Sequence, residues 1–359
     1  MTNERLYVDI HAIQTVPPSN MNRDDTGSPK TAQYGGVRRS RVSSQAWKRA
    51  IRLYFNDRGD TANVGVRTKK IVAYVADKIC ALDPSKAPSD AIELADKIIN
   101  LCGIKTKEVK DGESVEKEAK ALFFLGDKQA ADLAQAALDG VVDKKTLQEL
   151  LKANPAVDIA LFGRMVADDP SLNEDASCQV AHAISTHGVQ TEFDFFTAVD
   201  DMAPADNAGA GMLGTVEYNS STLYRYATVA AHELKRQLGD KDQTAAAIAL
   251  FIEAFVNAMP TGKINTFANQ TLPQAVLVTL RKDRPVNLVS AYERPVHADE
   301  GYVDASVARL FDEMRKAEVF VHAPAATFYL AEQGPDEGRA ASLFELLDQV
   351  KSALDSALE

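Results

Sequence analysis

The chain opens on a regular alternation of apolar and polar residues. Positions 6–12 read Leu-Tyr-Val-Asp-Ile-His-Ala, which predicts a half-buried strand at the start of the chain. A helical period follows, because apolar residues recur at i, i+3, i+4, i+7 and i+8. These residues are Trp47, Ala50, Ile51, Tyr54 and Phe55. Such spacing puts all five on one face and predicts an amphipathic helix from Ser44 to Phe55.

The rest of the pattern predicts an α+β fold. Residues 61–181 are mainly helical in period, which we interpret as an insertion into a fold begun by the first strand. After it we predict strands at 192–199, 215–220 and 223–229, a helix at 245–259, a strand at 274–280 and a helix at 341–358. The order strand-helix-strand-strand-helix-strand, with one large insertion, is typical of an elaborated ferredoxin-like domain.

The predicted helix at 44–55 has a basic face opposite its apolar face. Residues 17–36 before it are rich in Pro, Ser, Asn, Asp and Gly and predict a long loop. Ser43 or Ser44 stands where an N-cap is expected. The basic face and the cations that precede the cap are Gln45, Lys48, Arg49 and Arg52, with Arg38, Arg39 and Arg41. Free backbone N–H groups, hydroxyls, an amide and cations each suit a phosphate oxygen.

This basic face belongs to a basic island in an acidic chain. Between Arg23 and Lys70, twelve Lys and Arg residues stand against four Asp, a net charge of +8. The whole chain carries −11, so the remainder carries −19. An ordinary solvated helix face is the alternative, but such faces mix both signs, and no Asp or Glu occurs from Gly35 to Tyr54. We interpret the island as a surface for a nucleic acid, since its cations are too widely spread for one nucleotide.

Composition places the chain among ordinary globular proteins, with 45% apolar and 25% charged residues. The most apolar stretch, 245–259, contains Glu253 and is too short to span a bilayer. The N-terminal sequence has no secretory signature, and three widely spaced Cys form no metal or disulfide pattern. We expect a cytoplasmic protein without membrane contact.

Three other patterns indicate different chemistry. Gly209-Ala-Gly211-Met-Leu-Gly214 matches the dinucleotide pattern of an oxidoreductase, but an acidic, polar loop precedes it and strand-like residues follow it, so we interpret it as a hairpin tip. His182 and His187 lie five apart without a ligand-spaced Cys or carboxylate, which predicts polar contacts and no metal. The serines at 43 and 44 lack the motifs that frame a nucleophile. We expect no cofactor and no metal.

Several ordered motifs resemble one known family. They are Asn22-Arg23-Asp24-Asp25, Gly35-Gly36 with Arg38-Arg39, Arg41-Val-Ser-Ser-Gln with Lys48-Arg49, Gly163-Arg164-Met165, Ala-His-Ala-Ile-Ser-Thr-His at 181–187, Asp-Phe-Phe-Thr-Ala-Val-Asp-Asp at 194–201, and Tyr224-Arg225-Tyr226. Together they are similar to the backbone subunit of the type I-E Cascade CRISPR surveillance complex. The motifs span residues 22 to about 229, and the C-terminal third is less distinctive.

The resemblance implies an RNA-recognition-type palm, an inserted helical finger domain and a β-hairpin thumb. Carried onto this chain, the palm comprises residues 1–58, the finger insertion 59–181, and the return to the palm 182–229, with the thumb at about 194–224. The second part of the palm and a C-terminal helix would occupy 230–359. The family assembles head to tail along a guide RNA, with other Cascade subunits, and presents the guide bases to target DNA in antiviral defence.

The same resemblance implies a set of RNA contacts. They fall on Arg23, Arg38, Arg41, Ser43, Gln45, Lys48, Arg49 and Arg52 in the palm, Met165 in the finger, and Phe196 and Thr197 in the thumb. From strand alternation, Phe193 and Phe195 share a face and are predicted to be core, which leaves Phe196 to contact bases.

Contact with target DNA is a further expectation, through Lys144 and Lys145 on a finger helix. The family shows more lysines there, whereas this chain has Gln148 and Leu151. The alternative for Lys144 and Lys145 is a solvent-facing first turn after Asp143.

Together, the residues and the resemblance predict a non-enzymatic subunit that binds guide RNA. The alternative is a metal-dependent endoribonuclease of related architecture, because related subunits of other CRISPR classes use a loop aspartate. Asp24 and Asp25 are the candidates. We favour a structural role, in which one of them hydrogen-bonds its own loop and orients Arg23.

Overall fold

The computed structural model describes residues 5–58, 63–111, 114–166, 168–198, 202, 212–297 and 299–358. The strands among these residues are β1 (Tyr7–Ser19), β2 (Thr31–Tyr34), β3 (Val37–Val42), β4 (Gly65–Thr68), β5 (Thr106–Asp111), β6 (Ser114–Ala119), β7 (Phe123–Gly126), β8 (Cys178–Val180), β9 (Ala183–Ser185), β10 (Glu192–Ala198), β11 (Met212–Ala230), β12 (Ala275–Arg281) and β13 (Ala326–Ala331). The α-helices are α1 (Ser44–Asp57), α2 (Ile71–Leu82), α3 (Pro88–Leu101), α4 (Asp127–Leu138), α5 (Lys144–Lys152), α6 (Val157–Phe162), α7 (Ala231–Leu238), α8 (Lys241–Asn257), α9 (Ile264–Phe267), α10 (Val303–Ala317) and α11 (Leu343–Ala357). No helix in these ranges is both long and apolar enough to cross a membrane.

The chain forms two compact units. The first unit comprises Met1–Tyr54, Val180–Thr228 and Ile248–Glu359, and the second comprises Phe55–Gln179 and Val229–Ala247. The first unit holds a sheet in the order β13-β12-β1-β11-β9-β3-β2, with β10 paired to β11. Its pairs β1–β12, β11–β9 and β12–β13 are antiparallel.

The centre of this sheet has the ferredoxin-like strand order. Four strands and two helices follow one another along the chain as β1, α1, β9, β11, α8 and β12. In the sheet these strands lie in the order β12-β1-β11-β9, so the first strand sits between the last and the third. The predicted α+β class is confirmed.

Strand β1 is buried on both faces, so the prediction of a half-buried strand is wrong. The reason is that both faces are packed: Ile13 lies in a cluster with Tyr292 and Leu310, and Val16, on the opposite face, lies in one with Trp47 and Met259. Its polar residues are paired inside the protein: Asp9 accepts from the Tyr226 hydroxyl at 3.0 Å, and His11 Nδ1 lies 2.9 Å from the Tyr224 hydroxyl. Burial raises the pKa of Asp9 to about 6 and lowers that of His11 to about 3.

The long loop predicted at 17–36 is shorter in the structure. Strand β1 continues through Pro17 and Pro18 to Ser19, and β2 begins at Thr31. Strands β2 and β3 then form a hairpin. Prolines conceal the end of β1 from a sequence pattern because they are normally excluded from central strands.

Two glycines close the β2–β3 hairpin. Gly35 and Gly36 lie between the paired residues Tyr34 and Val37, with φ of +59° and +79°. Two positive φ values are what a type I′ hairpin turn requires. A Cβ on Gly35 would lie 1.6 Å from the Glu293 carbonyl oxygen, whereas one on Gly36 would meet nothing within 4 Å. Packing therefore restricts Gly35 more than Gly36.

In the second unit, the helices predicted from the apolar spacing of residues 61–181 are confirmed where that spacing extends over several turns. Helix α3 buries Ala91, Ala95, Ile98 and Ile99, which recur at helical spacing, and Leu94 on the same face is half-buried. The helical interpretation of 61–181 is incomplete, because β4 pairs with β7 and β5 with β6. Strands this short leave too little periodicity to be recognised from sequence.

The two hairpin glycines give a matched test of stability. We expect Gly35→Ala to lower the free energy of unfolding by about 3 kcal/mol, because strain and a backbone clash add together. Gly36→Ala should cost about 1 kcal/mol, from backbone strain alone. Urea denaturation followed by circular dichroism measures both, and equal losses would contradict the clash at Gly35.

Candidate nucleic-acid interface

Helix α1 presents the predicted basic face. Of its predicted apolar residues, Trp47, Ala50, Ile51 and Phe55 are buried and Tyr54 is half-buried. On the other side Gln45 and Arg49 are exposed, and Lys48 and Arg52 are half-buried. The two faces predicted from the spacing of this helix are therefore confirmed.

A buried arginine fixes the rotation of α1. The Arg225 guanidinium lies 3.7 Å from the ring centroid of Trp47 and 4.3 Å from that of Phe255. It also donates to Gln14 Oε1 and to the Phe255 carbonyl oxygen, each at 2.5 Å. Because Trp47 is held under the helix in this way, the residues at Lys48 and Arg49 must point outward.

The N-terminus of α1 is capped by Ser43. Its hydroxyl accepts a hydrogen bond from the Ala46 N–H at 3.3 Å, and its own N–H donates to Asn22 Oδ1 at 2.8 Å. The cap predicted at Ser43 or Ser44 is thus Ser43. This residue is buried, so the hydroxyl expected to contact RNA is engaged in the helix cap.

The three arginines of β3 have different environments. Arg38 is exposed and Arg41 is half-buried. Arg39 is fully buried and donates to the carbonyl oxygens of Tyr34, Ser185 and Tyr292 at 3.0, 3.0 and 2.7 Å. The inclusion of Arg39 among the phosphate-binding cations is therefore wrong, because its donors are already used inside the protein.

The loop between β1 and β2 is organised by Asp24. The Asp24 carboxylate accepts from the Thr26 hydroxyl at 2.7 Å and from the N–H groups of Thr26 and Ser28, each at 3.0 Å. The hydrogen bond from the Thr26 hydroxyl is the main cause that holds the pKa of Asp24 below its usual value. The predicted hydrogen bonding of Asp24 to its own loop is confirmed. Arg23 and Asp25 are exposed.

The hairpin of β10 and β11 exposes its aromatic residues. Phe193 and Phe195 are 66% and 65% exposed, and Phe196 is 38% exposed. The prediction that Phe193 and Phe195 are core is wrong, because both rings remain largely exposed to solvent on the described part of the hairpin. Phe196 pairs with Gly214, and its ring lies where a Cβ of Gly214 would be. Gly209 and Gly211 of the dinucleotide-like pattern lie outside the described residues.

In the second unit, the predicted RNA contact Met165 is 85% exposed. Its neighbour Arg164 is buried and donates to the carbonyl oxygens of Leu172 and Leu151 at 3.0 and 2.9 Å. Gly163 has a φ of +78°, which a side chain disfavours. The glycine and the buried arginine thus fix the backbone from which Met165 projects.

The two lysines predicted to meet DNA differ in their partners. Lys144 Nζ lies 3.0 Å from Asp169 Oδ2, and Lys145 Nζ lies 4.0 Å from Glu149. Gln148 also donates to Asp169, at 2.8 Å. Hydrogen bonds from Ser171 and Lys144 hold the pKa of Asp169 far below its usual value, so this carboxylate stays charged and retains Lys144.

Both histidines of the 181–187 motif make polar contacts, as predicted. His182 Nδ1 lies 3.1 Å from Arg41 Nη1. His187 Nε2 accepts from the Thr222 N–H at 3.0 Å, and its Nδ1 lies 2.8 Å from the Gly188 carbonyl oxygen. Burial, and for His182 also the charges of Arg41 and Lys30, lower the pKa of both rings. In the part of the chain that the structure describes, no cluster of three potential metal ligands occurs.

Two residues beside the interface were absent from the predicted RNA contacts. Asn22 joins the loop to the helix cap, and Lys30 adds a cation near Arg41. Lys30 was counted in the basic island, so charge alone could have suggested it. The contact of Asn22 depends on folding and has no signal in the spacing.

Residues 8–353 match the model of the family described as CT1975-like protein. The chain belongs to this family. No curated protein matches the chain in sequence.

Two solved structures are similar to this CT1975-like chain over almost its whole length. One is a chain of a CRISPR RNA-guided surveillance complex, pre-nicking, with a TM-score of 0.85 and 34% identity over 97% of this chain and 100% of that chain. Another is a chain of a CRISPR RNA-guided surveillance complex, with a TM-score of 0.74 and 29% identity over 97% of this chain and 99% of that chain. The resemblance to a surveillance-complex subunit is confirmed.

Two adjacent arginines of β3, one buried and one exposed, give a matched test of structural roles in this CT1975-like chain. We expect Arg39→Ala to lower the free energy of unfolding by about 3 kcal/mol, because buried carbonyl oxygens lose their donor. Arg38→Ala should change it by less than about 0.5 kcal/mol, since Arg38 is exposed. Chemical denaturation of the two variants checks this, and a larger loss for Arg38→Ala would refute the assignment of Arg39 as structural.

Proposed function

We propose that the chain is the guide-RNA-binding backbone subunit of a type I-E Cascade surveillance complex. One observation carries the proposal: α1 and β3 present exposed cations next to a helix N-terminus, in a stretch without acidic residues. Residues 26–56 contain seven Lys and Arg and no Asp or Glu. The similar solved chains come from CRISPR RNA-guided surveillance complexes, which supports the same role here.

The chemistry of this surface suits RNA of any sequence. A subunit that binds guides of any sequence cannot depend on base identity, so it should bind phosphates and sugar hydroxyls. Arginine and lysine side chains provide this grip, and the guide bases stay free to pair with target DNA. Exposed Arg38 and Arg49 have no ion pair with any residue in the described ranges, which leaves their charges available for phosphate.

The hairpin of β10 and β11 supports the second part of the role, which is to divide the guide into short segments. Phe196 and the neighbouring Thr197 lie on this strand pair, where every residue of β10 is exposed. An aromatic ring on such an arm can stack on a base or displace it. The proposal includes head-to-tail copies of this chain along the RNA in the cytoplasm, other Cascade subunits, and target DNA met through the guide.

The proposed role is non-enzymatic. Asp24 Oδ1 accepts three hydrogen bonds within its own loop, which supports a structural role for this aspartate. A nuclease would need carboxylate oxygens directed at a metal ion beside the scissile phosphate.

Salt dependence tests the phosphate grip. The double variant Arg38→Ala with Arg49→Ala should weaken RNA binding equally for unrelated sequences, and should reduce the slope of log affinity against log salt by about 1.4. The matched control is Lys282→Ala with Lys351→Ala, which removes two exposed cations of the same unit outside the interface. Fluorescence anisotropy over a salt series measures both. A strong dependence on guide sequence, or an equal effect of the control, would contradict the proposal.

Cleavage assays test the absence of nuclease activity. The assembled complex is incubated with complementary RNA and Mg²⁺, and we expect no regular cleavage products from wild type or Asp24→Ala. Asp25→Ala is assayed beside it, because Asp25 is the second candidate aspartate and is exposed on the same loop. Regular products that vanish in Asp24→Ala would establish the endoribonuclease instead.

A further inference from the structure

A narrow polar cleft lies next to the start of α1. Its volume is about 10 Å³, and its polar lining includes Ser19, Lys30, Ser40, Arg41, Asn219 and Ser221. Arg41 and Val42 line it and directly precede the cap Ser43, so the cleft is continuous with the basic surface. A volume of this size holds about one water-sized group.

Asn219 is a buried side chain with an unused donor. Its Oδ1 accepts from the Ser40 hydroxyl at 3.1 Å. The backbone N–H of Ser40 in turn donates to Ser185 Oγ at 3.1 Å. Its Nδ2 is buried and has no hydrogen-bond partner among the described residues. Buried donors are nearly always paired, so this one is suited to an acceptor that the described residues do not supply.

The charge of the cleft selects the kind of acceptor. Lys30 and Arg41 both line it, and none of its described lining residues is acidic. Arg41 uses Nε on the Thr31 carbonyl oxygen at 3.2 Å and Nη1 at His182, while its Nη2 makes no hydrogen bond within the described ranges. Two cations and a free amide donor repel a metal ion and attract an oxygen of an anion.

We infer that this cleft binds one oxygen of the RNA sugar-phosphate backbone, with Asn219 as a further RNA-binding residue. The inference rests on the proposed function and adds a neutral donor to the cations of the palm. Either a phosphate oxygen or a ribose 2′-hydroxyl provides the acceptor, and both fit a water-sized space.

Substitution of Asn219 tests the inference on the full chain. Asn219→Ala removes the donor and should weaken binding of a labelled single-stranded RNA about tenfold. Asn219→Asp keeps the acceptor for the Ser40 hydroxyl but replaces the donor by a charged oxygen, so its loss should be at least as large. Thermal unfolding of each variant verifies that the fold is intact.

A matched control isolates the position from the added charge. Asn287→Asp adds the same charge to the same unit and preserves an acceptor, because Asn287 Oδ1 accepts from the Tyr224 hydroxyl at 3.0 Å and the Val289 N–H at 3.0 Å. Asn287 does not line the cleft. We expect this variant to bind RNA as the wild type does.

DNA of the same sequence separates the two sources of oxygen. If the acceptor is a 2′-hydroxyl, Asn219→Ala weakens RNA binding and leaves DNA binding unchanged. If it is a phosphate oxygen, both are weakened by the same factor, and either result supports the inference.

Other outcomes overturn it. Folded Asn219→Ala and Asn219→Asp variants that bind RNA as tightly as wild type would show that the cleft holds only water. A loss confined to association between protein copies, with RNA affinity intact, would assign the cleft to a protein interface. If RNA binding falls in Arg38→Ala with Arg49→Ala but not in the Asn219 variants, the inference alone fails. A wild-type chain that binds no RNA would remove the proposed function with it.

Discussion

The contact between Arg225 and Trp47 governs the candidate interface. A guanidinium stacked at 3.7 Å on the indole, and bonded to Gln14 and to the Phe255 carbonyl oxygen, joins α1 to β1, β11 and α8 in one packing unit. Rotation of α1 by one residue would pull Trp47 from its site and bury Lys48 or Arg49, which is unfavourable for an unpaired charge. The outward direction of the basic face is thus a consequence of what lies beneath the helix.

Arginines serve two opposite purposes in this chain, often side by side. Arg39 is buried beside exposed Arg38, and Arg164 is buried beside exposed Met165. In both cases the buried guanidinium donates to backbone carbonyl oxygens of several separate segments and so ties them together. The planar fork with five donors makes arginine suited to this task, and lysine could not replace it. The neighbouring residue then projects from a rigid backbone, which is the arrangement that a binding site needs.

The charge distribution follows a similar division. A stretch of +8 in a chain of −11 concentrates positive charge in one part of the sequence and leaves the rest acidic. The acidic remainder disfavours binding of nucleic acid elsewhere, because phosphate is repelled from it. The hairpin of β10 and β11 carries Glu192, Asp194 and Glu217 and exposed phenylalanines. It is therefore better suited to base stacking than to phosphate binding.

The sequence by itself determined the α+β class, the two faces of α1 and the location of the basic surface, because periodicity and charge are local properties that survive any packing. It could not determine that β1 is buried on both faces, that Arg39 is structural, or that Phe193 and Phe195 are exposed. Each depends on which distant segment packs against a residue. Arg39 bonds to the carbonyl oxygen of Tyr292, whereas Phe193 is left exposed by the described residues. The tertiary structure alone decided these points, since burial and hydrogen-bond satisfaction are set by neighbours that lie far away along the chain.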